Sequence, residues 1–124
     1  MKKKGLVITL TLAFVLLCSS VAYAWTMTGC YDVIYNTSSE IQGYVVTECD
    51  VNADEITERG WLYMDGTLVN SNSSGNFNTN YSQCPVFGNN PSGEQNWDLN
   101  GSHTATYQGY TIGPWPSSSS VYGI

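Results

Sequence analysis

Positive charge is scarce in this sequence. Four of its 124 residues are Lys or Arg, against ten Asp or Glu, and three of the four are Lys2, Lys3 and Lys4. Beyond them, Arg59 stands alone against all ten acidic residues, which gives a net side-chain charge of −9 with His103 neutral. Binding to nucleic acid or anionic membrane depends on Lys and Arg, so we expect neither partner.

Histidine and the common catalytic motifs are also missing. His103 is the single histidine, and no G-x-S-x-G, H-E-x-x-H or phosphate-binding loop is present. A zinc site or a Ser-His-Asp triad would have to be built around this one imidazole. We therefore predict no enzymatic activity and no cofactor, with His103 half-buried and hydrogen-bonded to backbone.

Apolar runs are short, and the longest one lies near the start. Residues 6–18 follow the three lysines and lead to Ala22-Tyr23-Ala24, the three parts of a cleavable secretory signal. A retained anchor, a core helix and a lipoprotein acylated at Cys18 are the alternatives; Leu17 is large for the last of these. We expect a signal peptide over residues 1–24, and a secreted, extracellular protein without a stable membrane span after cleavage.

Helical periodicity is absent after residue 24. Short apolar or aromatic runs alternate with Gly, Asn, Ser and Asp, a pattern typical of an all-β sandwich or barrel. We predict one β-sandwich domain over residues 25–113 and an extended C-terminal tail over 114–124. The Asn- and Ser-rich segment 70–80 is expected to be partly loop, and 85–95 is expected to be loop. Strands are predicted at residues 30–35, 41–49, 76–84 and 102–112, with a hairpin around Asp65-Gly66.

The hairpin is the clearest local signal. Asp-Gly between two apolar runs favours a two-residue turn in which both residues take positive φ. Such a turn pairs Met64 with Thr67 and Tyr63 with Leu68, and continues through Leu62–Val69 and Trp61–Asn70.

Three cysteines follow the signal: Cys30, Cys49 and Cys84. An exported protein reaches an oxidising compartment, so one disulfide and one leftover thiol are expected, and three pairings are open.

The order of cysteines and aromatics resembles a known group of proteins. The features are Cys49 at a strand end, Trp61-Leu62-Tyr63, Asp65-Gly66, Cys84 after a polar loop, Trp97, and His103-Thr104-Ala105. This pattern resembles small secreted bacterial proteins of unknown function that form a single immunoglobulin-like antiparallel β-sandwich. The resemblance implies a Cys49–Cys84 disulfide and leaves Cys30 free or bridging two chains in a dimer. It implies no catalytic residues.

Oxygen ligands alternate in one short segment. Asp50, Asn52 and Asp54 have the spacing that opens a calcium loop, but Glu55 replaces the glycine and Trp61 the final glutamate of an EF-hand. A looser calcium site is one interpretation. A turn in which these side chains bind their own backbone is the other.

Aromatic residues are plentiful after the signal, with four Trp, eight Tyr and two Phe. Flat rings beside amides suit sugar binding, and Trp115, Tyr107, Tyr110 and Gln108 are the predicted ligand-binding residues, with Trp25 a further candidate. The alternative is that the aromatics fill the core or stabilise strands.

These features predict a secreted, non-enzymatic binding module at the cell envelope. Its partner would be a polysaccharide, the cell wall or another protein. The alternative is a small secreted effector or toxin-like protein acting on neighbouring cells, although membrane-active peptides are usually basic.

Overall fold

The structure, a computed structural model, describes residues 25–124. The predicted signal peptide and Cys18 lie outside the described residues. Five antiparallel strands make up the described chain: β1 (Met27–Asn36), β2 (Glu40–Met64), β3 (Thr67–Asn89), β4 (Trp97–Tyr107) and β5 (Tyr110–Val121). No helix within residues 25–124 is long and apolar enough to cross a membrane.

The fold is organised by one long, bent hairpin. β2 and β3 pair along nearly their whole length, with an interruption of the register between Glu48 and Ala53. β1 pairs with residues 41–49 of β2, and β4 pairs with residues 55–64 on the same edge. We call β1 with residues 40–48 and 81–89 the front layer. The back layer comprises residues 53–64 and 67–79 with β4 and β5.

The two layers pack face to face as a sandwich. The long strands β2 and β3 each contribute one segment to each layer. The front layer therefore has three strand segments and the back layer has four. An immunoglobulin constant-type sandwich also divides seven strands between two sheets. In this protein the back layer has four segments, because residues 67–79 of β3 pair with residues 53–64 of β2 in that layer. The predicted all-β antiparallel fold is confirmed.

Two apolar clusters fill the space between the layers. The first joins Ile41, Val45, Cys84 and Val86 of the front layer to Leu62, Trp97 and Leu99 of the back layer. The second comprises Trp25, Met27, Cys49, Ala53, Ile56 and Ala105. The predicted shared face of Ile41, Val45 and Cys49 is confirmed, because all three side chains are buried.

The Asp65-Gly66 turn has the expected conformation, with φ of 48° and 82°. Met64 pairs with Thr67 and Tyr63 with Leu68, as predicted. Beyond that point a bulge pairs Leu62 with Asn70 and moves the pairs as far as Ala53–Thr79 by one residue. The turn chemistry therefore determined the hairpin, but the sequence did not show the bulge.

The segment predicted to be partly loop, 70–80, is strand. Asn70 and Asn72 donate side-chain hydrogen bonds of 2.7 Å to the carbonyl oxygens of Phe87 and Pro85. Ser74 donates to the Gln83 carbonyl at 3.3 Å. These alternate residues cap the outward carbonyls of residues 83, 85 and 87, so the polar side chains replace the missing neighbour of an edge strand.

Three further strand boundaries differ from the predictions. Residues 85–89 belong to β3, and 90–96 form the connection to β4. The predicted strand 102–112 is a hairpin, because Gln108 and Gly109 form a turn with φ of 50° and 79°. Residues 114–121 are extended, as expected, but they pair with β4 as part of β5 and are not a tail.

The implied Cys49–Cys84 disulfide is not formed, and Cys30, Cys49 and Cys84 are free thiols. Cys84 lies opposite Val45, four residues from Cys49 along β2. That offset corresponds to about 13 Å along a strand, whereas a disulfide requires Cα atoms within about 7 Å. The two cysteines also belong to different apolar clusters.

Candidate functional site

The outer face of the front layer carries an ordered set of aromatic side chains. Strand pairing places them in four rows across three strands: Gly29–Glu48–Tyr81, Tyr31–Val46–Gln83, Val33–Tyr44–Pro85 and Tyr35–Gln42–Phe87. Two residues of strand separate each row from the next, so the rows span about 20 Å. We call this surface the tyrosine face.

The rings of the tyrosine face form a groove and do not lie in one plane. Tyr44 meets Tyr35 edge-on at 5.9 Å between ring centroids and meets Phe87 edge-on at 5.4 Å. The groove has a volume of about 380 Å³. Tyr31 is 41% exposed and Tyr81 46% exposed, whereas Val46, which pairs with Tyr31, is only 3% exposed. The tyrosines therefore cover an apolar floor and still present their rings to solvent.

Polar groups line the same groove. The Tyr31 hydroxyl donates to Glu48 Oε1 at 3.3 Å, and the Tyr81 hydroxyl donates to Gln83 Oε1 at 3.3 Å. The pKa of Tyr31 is raised, first by desolvation and then by the Glu48 carboxylate. At the other end, Gln42 Nε2 donates to Glu40 Oε1 at 2.8 Å. The amide and hydroxyl groups are thus held in fixed positions beside the rings.

Sequence reasoning did not identify the tyrosine face. The alternation Tyr31-x-Val33-x-Tyr35 in β1 is a two-residue period that indicates one exposed aromatic face, and Tyr81-x-Gln83 has the same spacing. What the sequence did not show is that β3 brings its residues beside β1 and β2. The long β2–β3 pairing determines that juxtaposition.

The ligand-binding residues predicted from sequence fall in two places. Tyr107, Gln108 and Tyr110 surround the β4–β5 turn, where Gln108 Nε2 donates to the Tyr107 hydroxyl at 3.3 Å. Tyr107 packs edge-on against Trp25 at 5.8 Å and is half-buried in the second apolar cluster. Trp115 is 40% exposed but lies opposite His103, five residues after Tyr110. The structure does not unite the four residues in one groove.

Two of the predicted calcium ligands bind backbone amides. Asp50 Oδ1 accepts the Thr26 amide at 2.8 Å, and Asp54 Oδ2 accepts the Gln108 amide at 2.8 Å. Asn52 lies between them on the exposed side of β2. Within residues 25–124, no group of three or more His, Cys, Asp or Glu side chains could hold a metal ion. Both carboxylates bind amides of distant segments, 24 and 54 residues away along the chain, and residues 50–54 lie within β2. The turn of the alternative interpretation is therefore not formed, and Asp50 and Asp54 instead tie β2 to Thr26 and to the β4–β5 turn.

A buried chain of polar side chains crosses the core between the two apolar clusters. His103 is fully buried, and its Nδ1 lies 2.7 Å from Thr47 Oγ1. Its Nε2 lies 2.6 Å from Ser117 Oγ, which donates to Asp32 Oδ1 at 2.6 Å. At the other end, Glu58 accepts hydrogen bonds from Ser74 and Ser82. Burial lowers the pKa of His103 to about 4, and burial raises the pKa of Asp32 to about 6.

The buried polar chain connects the two layers between the two apolar clusters. Asp32 and Thr47 belong to the front layer, and His103 and Ser117 belong to the back layer. Each histidine nitrogen has a hydroxyl partner, so a neutral imidazole is satisfied without water. The predicted backbone partner of His103 is therefore wrong, since the ring binds two side chains and is completely buried. The Ser117–Asp32 hydrogen bond joins the two layers at the edge formed by β1 and β5, and the His103–Thr47 contact joins them in the interior.

The outer face of the back layer differs from the tyrosine face. Its groove, of about 450 Å³, is lined by small hydroxyl residues such as Thr57 and Ser102 together with Arg59. The Arg59 guanidinium lies 5.0 Å above the centre of the Trp61 ring. The positive charge of Arg59 is thus placed on the layer opposite the tyrosines.

Comparison with models of known protein families finds no match, and comparison with curated protein sequences also finds none.

Proposed function

We propose that the protein is a secreted, non-enzymatic module that binds polysaccharide chains on its tyrosine face. The observation that carries this proposal is the single groove in which exposed tyrosine rings alternate with Gln42 and Gln83. Rings supply apolar contact to the flat faces of sugars, and amides supply donors and acceptors for sugar hydroxyls. Strand positions hold these groups, which reduces the entropy lost on binding.

The geometry of the rings favours single, soluble chains over crystalline surfaces. A crystalline polysaccharide presents a flat plane and needs coplanar rings. Here the planes of Tyr35 and Tyr44 are inclined by 70°, and those of Tyr44 and Phe87 by 75°. Rings inclined in this way form the walls of a groove, so we expect it to receive one extended chain.

Affinity electrophoresis tests the proposal. The purified protein would be run in native gels containing hydroxyethyl cellulose or glycol chitosan, and we expect its migration to be retarded by at least one of them. Tyr35→Ala combined with Tyr81→Ala should weaken binding about tenfold or more, since both rings are exposed in the groove.

The matched control is Tyr110→Ala combined with Trp115→Ala, which removes two aromatic rings of similar exposure from β5. This double variant should bind as the unchanged protein does. Absence of retardation in every polysaccharide, or a larger loss in the β5 variant, would contradict the proposal.

A further inference from the structure

We propose that the tyrosine face selects polysaccharides whose sugars carry free, protonated amino groups. This specificity rests on the polysaccharide-binding function proposed above and names the ligand class for the same groove. Three features of the tyrosine face favour such a ligand: its negative charge, the placement of one carboxylate and the electronic character of its rings.

The charges on and around the tyrosine face are negative. Its four rows contain Glu48 and no Lys, Arg or His. Glu40 lies two residues beyond the row of Gln42 on β2, so carboxylates stand at both ends of the tyrosine face. Arg59 lies on the back layer, and His103 is buried in the core. An anionic polysaccharide would meet repulsion here, whereas a cationic one would be attracted by both ends and by the acidic domain as a whole.

Glu48 is positioned to contact a ligand. Its carboxylate extends over Gly29, where an added Cβ would lie only 2.9 Å from Glu48 Oε2. The Tyr31 hydroxyl binds the other oxygen, Oε1, at 3.3 Å. Glycine at position 29 therefore leaves the space that this carboxylate occupies. One hydroxyl donor leaves the carboxylate with acceptor sites for an ammonium group of a sugar.

The aromatic rings favour the same class of ligand. A protonated amine is attracted to the face of a tyrosine or phenylalanine ring within about 6 Å of its centroid. Tyr31, Tyr35 and Tyr81 are all more than 40% exposed. An extended chain in the groove would thus place successive amino groups near rings or near Glu48. A neutral sugar chain would use the ring contacts and the amide hydrogen bonds but would gain nothing from Glu48 or from the charge on nitrogen.

Isothermal titration calorimetry with two oligosaccharides of equal length tests the selectivity. One is made of glucosamine and the other of N-acetylglucosamine, so they share a backbone and differ in the charge on nitrogen. We expect the glucosamine oligomer to bind about three- to thirtyfold more tightly. Added salt should reduce this preference, because exposed charges are screened.

Glu48→Gln should weaken binding of the glucosamine oligomer about two- to fivefold and leave the N-acetylated oligomer unaffected. The matched control, Glu55→Gln, removes one negative charge from the back-layer part of β2 and should change neither affinity. An equal effect of the two variants would overturn the assignment to Glu48.

Three further outcomes are distinguishable. Equal affinity for both oligomers would overturn the amino-sugar selectivity and leave polysaccharide binding intact. No binding to either oligomer or to hydroxyethyl cellulose would overturn the proposed function itself. Tighter binding of oligolysine, with displacement of the sugar, would overturn the selectivity in favour of a basic protein partner.

Discussion

At the scale of single residues, the close approach of the two layers depends on a glycine, which has no side chain to separate them. Gly101 is buried opposite Ser117, and a Cβ at this position would collide with Ser117 and Asp32 and lie 2.8 Å from Val45 Cγ1. Gly101→Ala should therefore destabilise the protein by about 1–3 kcal/mol through overpacking. Chemical denaturation measures this change.

Gly75→Ala is the control for that substitution. A Cβ added at Gly75 would lie 3.6 Å from Thr57 Cγ2, its nearest atom outside the neighbouring residues, which is an ordinary contact. The same chemical change should therefore have little effect on the free energy of unfolding there. Equal losses at the two positions would show that the space around Gly101 is not what limits the packing.

The buried polar chain gives the residues Asp32 and His103 opposite effects on stability as pH changes. His103 has a folded pKa of about 4, below its usual 6.5, so acidification from pH 6.5 towards 4 protonates the unfolded chain first and lowers stability. Asp32 has a folded pKa of about 6, above its usual 3.8, so the folded chain takes up that proton first and acidification over this range raises stability.

Two variants separate these contributions. Asp32→Asn removes the stability that the protein gains when Asp32 is protonated. The melting temperature of this variant should therefore fall more steeply than that of the unchanged protein between pH 7 and 4.5. His103→Gln removes the stability loss that arises because His103 is protonated more readily in the unfolded chain. The melting temperature of this variant should therefore fall less steeply than that of the unchanged protein. Thermal unfolding at several pH values measures both slopes. Parallel curves for all three proteins would contradict the assigned pKa shifts.

At the scale of elements, β3 shows how polar side chains stabilise an edge strand. Asn72→Ala deletes the 2.7 Å hydrogen bond to the Pro85 carbonyl and should lower stability by about 0.5–1.5 kcal/mol. It also uncovers an edge carbonyl, so aggregation during heating should increase. Light scattering during thermal unfolding, combined with denaturant titration, measures both effects.

Ser73→Ala is the neighbouring control, since Ser73 lies on the alternate side of the strand and forms its hydrogen bond through its backbone amide. It should leave stability and aggregation unchanged. If Asn72→Ala behaves like Ser73→Ala, the side-chain hydrogen bonds do not stabilise the edge.

The elements that sequence reasoning predicted correctly are those with local signals. The Asp65-Gly66 turn is specified by two residues that tolerate positive φ, and the strand at 41–49 by its Val and Tyr content, although β2 continues from there to Met64. Segment 70–80 was missed because its strand partner is the second half of β2 and its Asn and Ser side chains bind carbonyl groups of residues 83–87; composition indicates neither contact. The tyrosine face was missed for a related reason, since its rows exist only after β1, β2 and β3 pair.

At the scale of the whole molecule, stability comes from two apolar clusters and the polar chain between them, with three free thiols in the described chain. We therefore expect reductant to leave the melting temperature unchanged. Burial raises the pKa of the Cys49 thiol to about 11 and also raises that of Cys84, so both should react slowly with iodoacetamide at neutral pH in the folded state.

Mass spectrometry after alkylation in denaturant, without reductant, checks the state of the thiols. Cys30, Cys49 and Cys84 should all be modified, because none is paired in the structure. A pair that stays unmodified until reductant is added would contradict the free-thiol state.

On the whole molecule, the tyrosine face is the proposed binding surface. The most direct measurement is a titration of the isotopically labelled protein with the glucosamine oligomer, followed by backbone amide chemical shifts in NMR spectra. We predict saturable shifts concentrated in residues 29–35, 42–48 and 81–87, the three strands of the tyrosine face. Shifts concentrated instead around the β4–β5 turn and Trp115, or no shifts at saturating oligomer, would contradict the account.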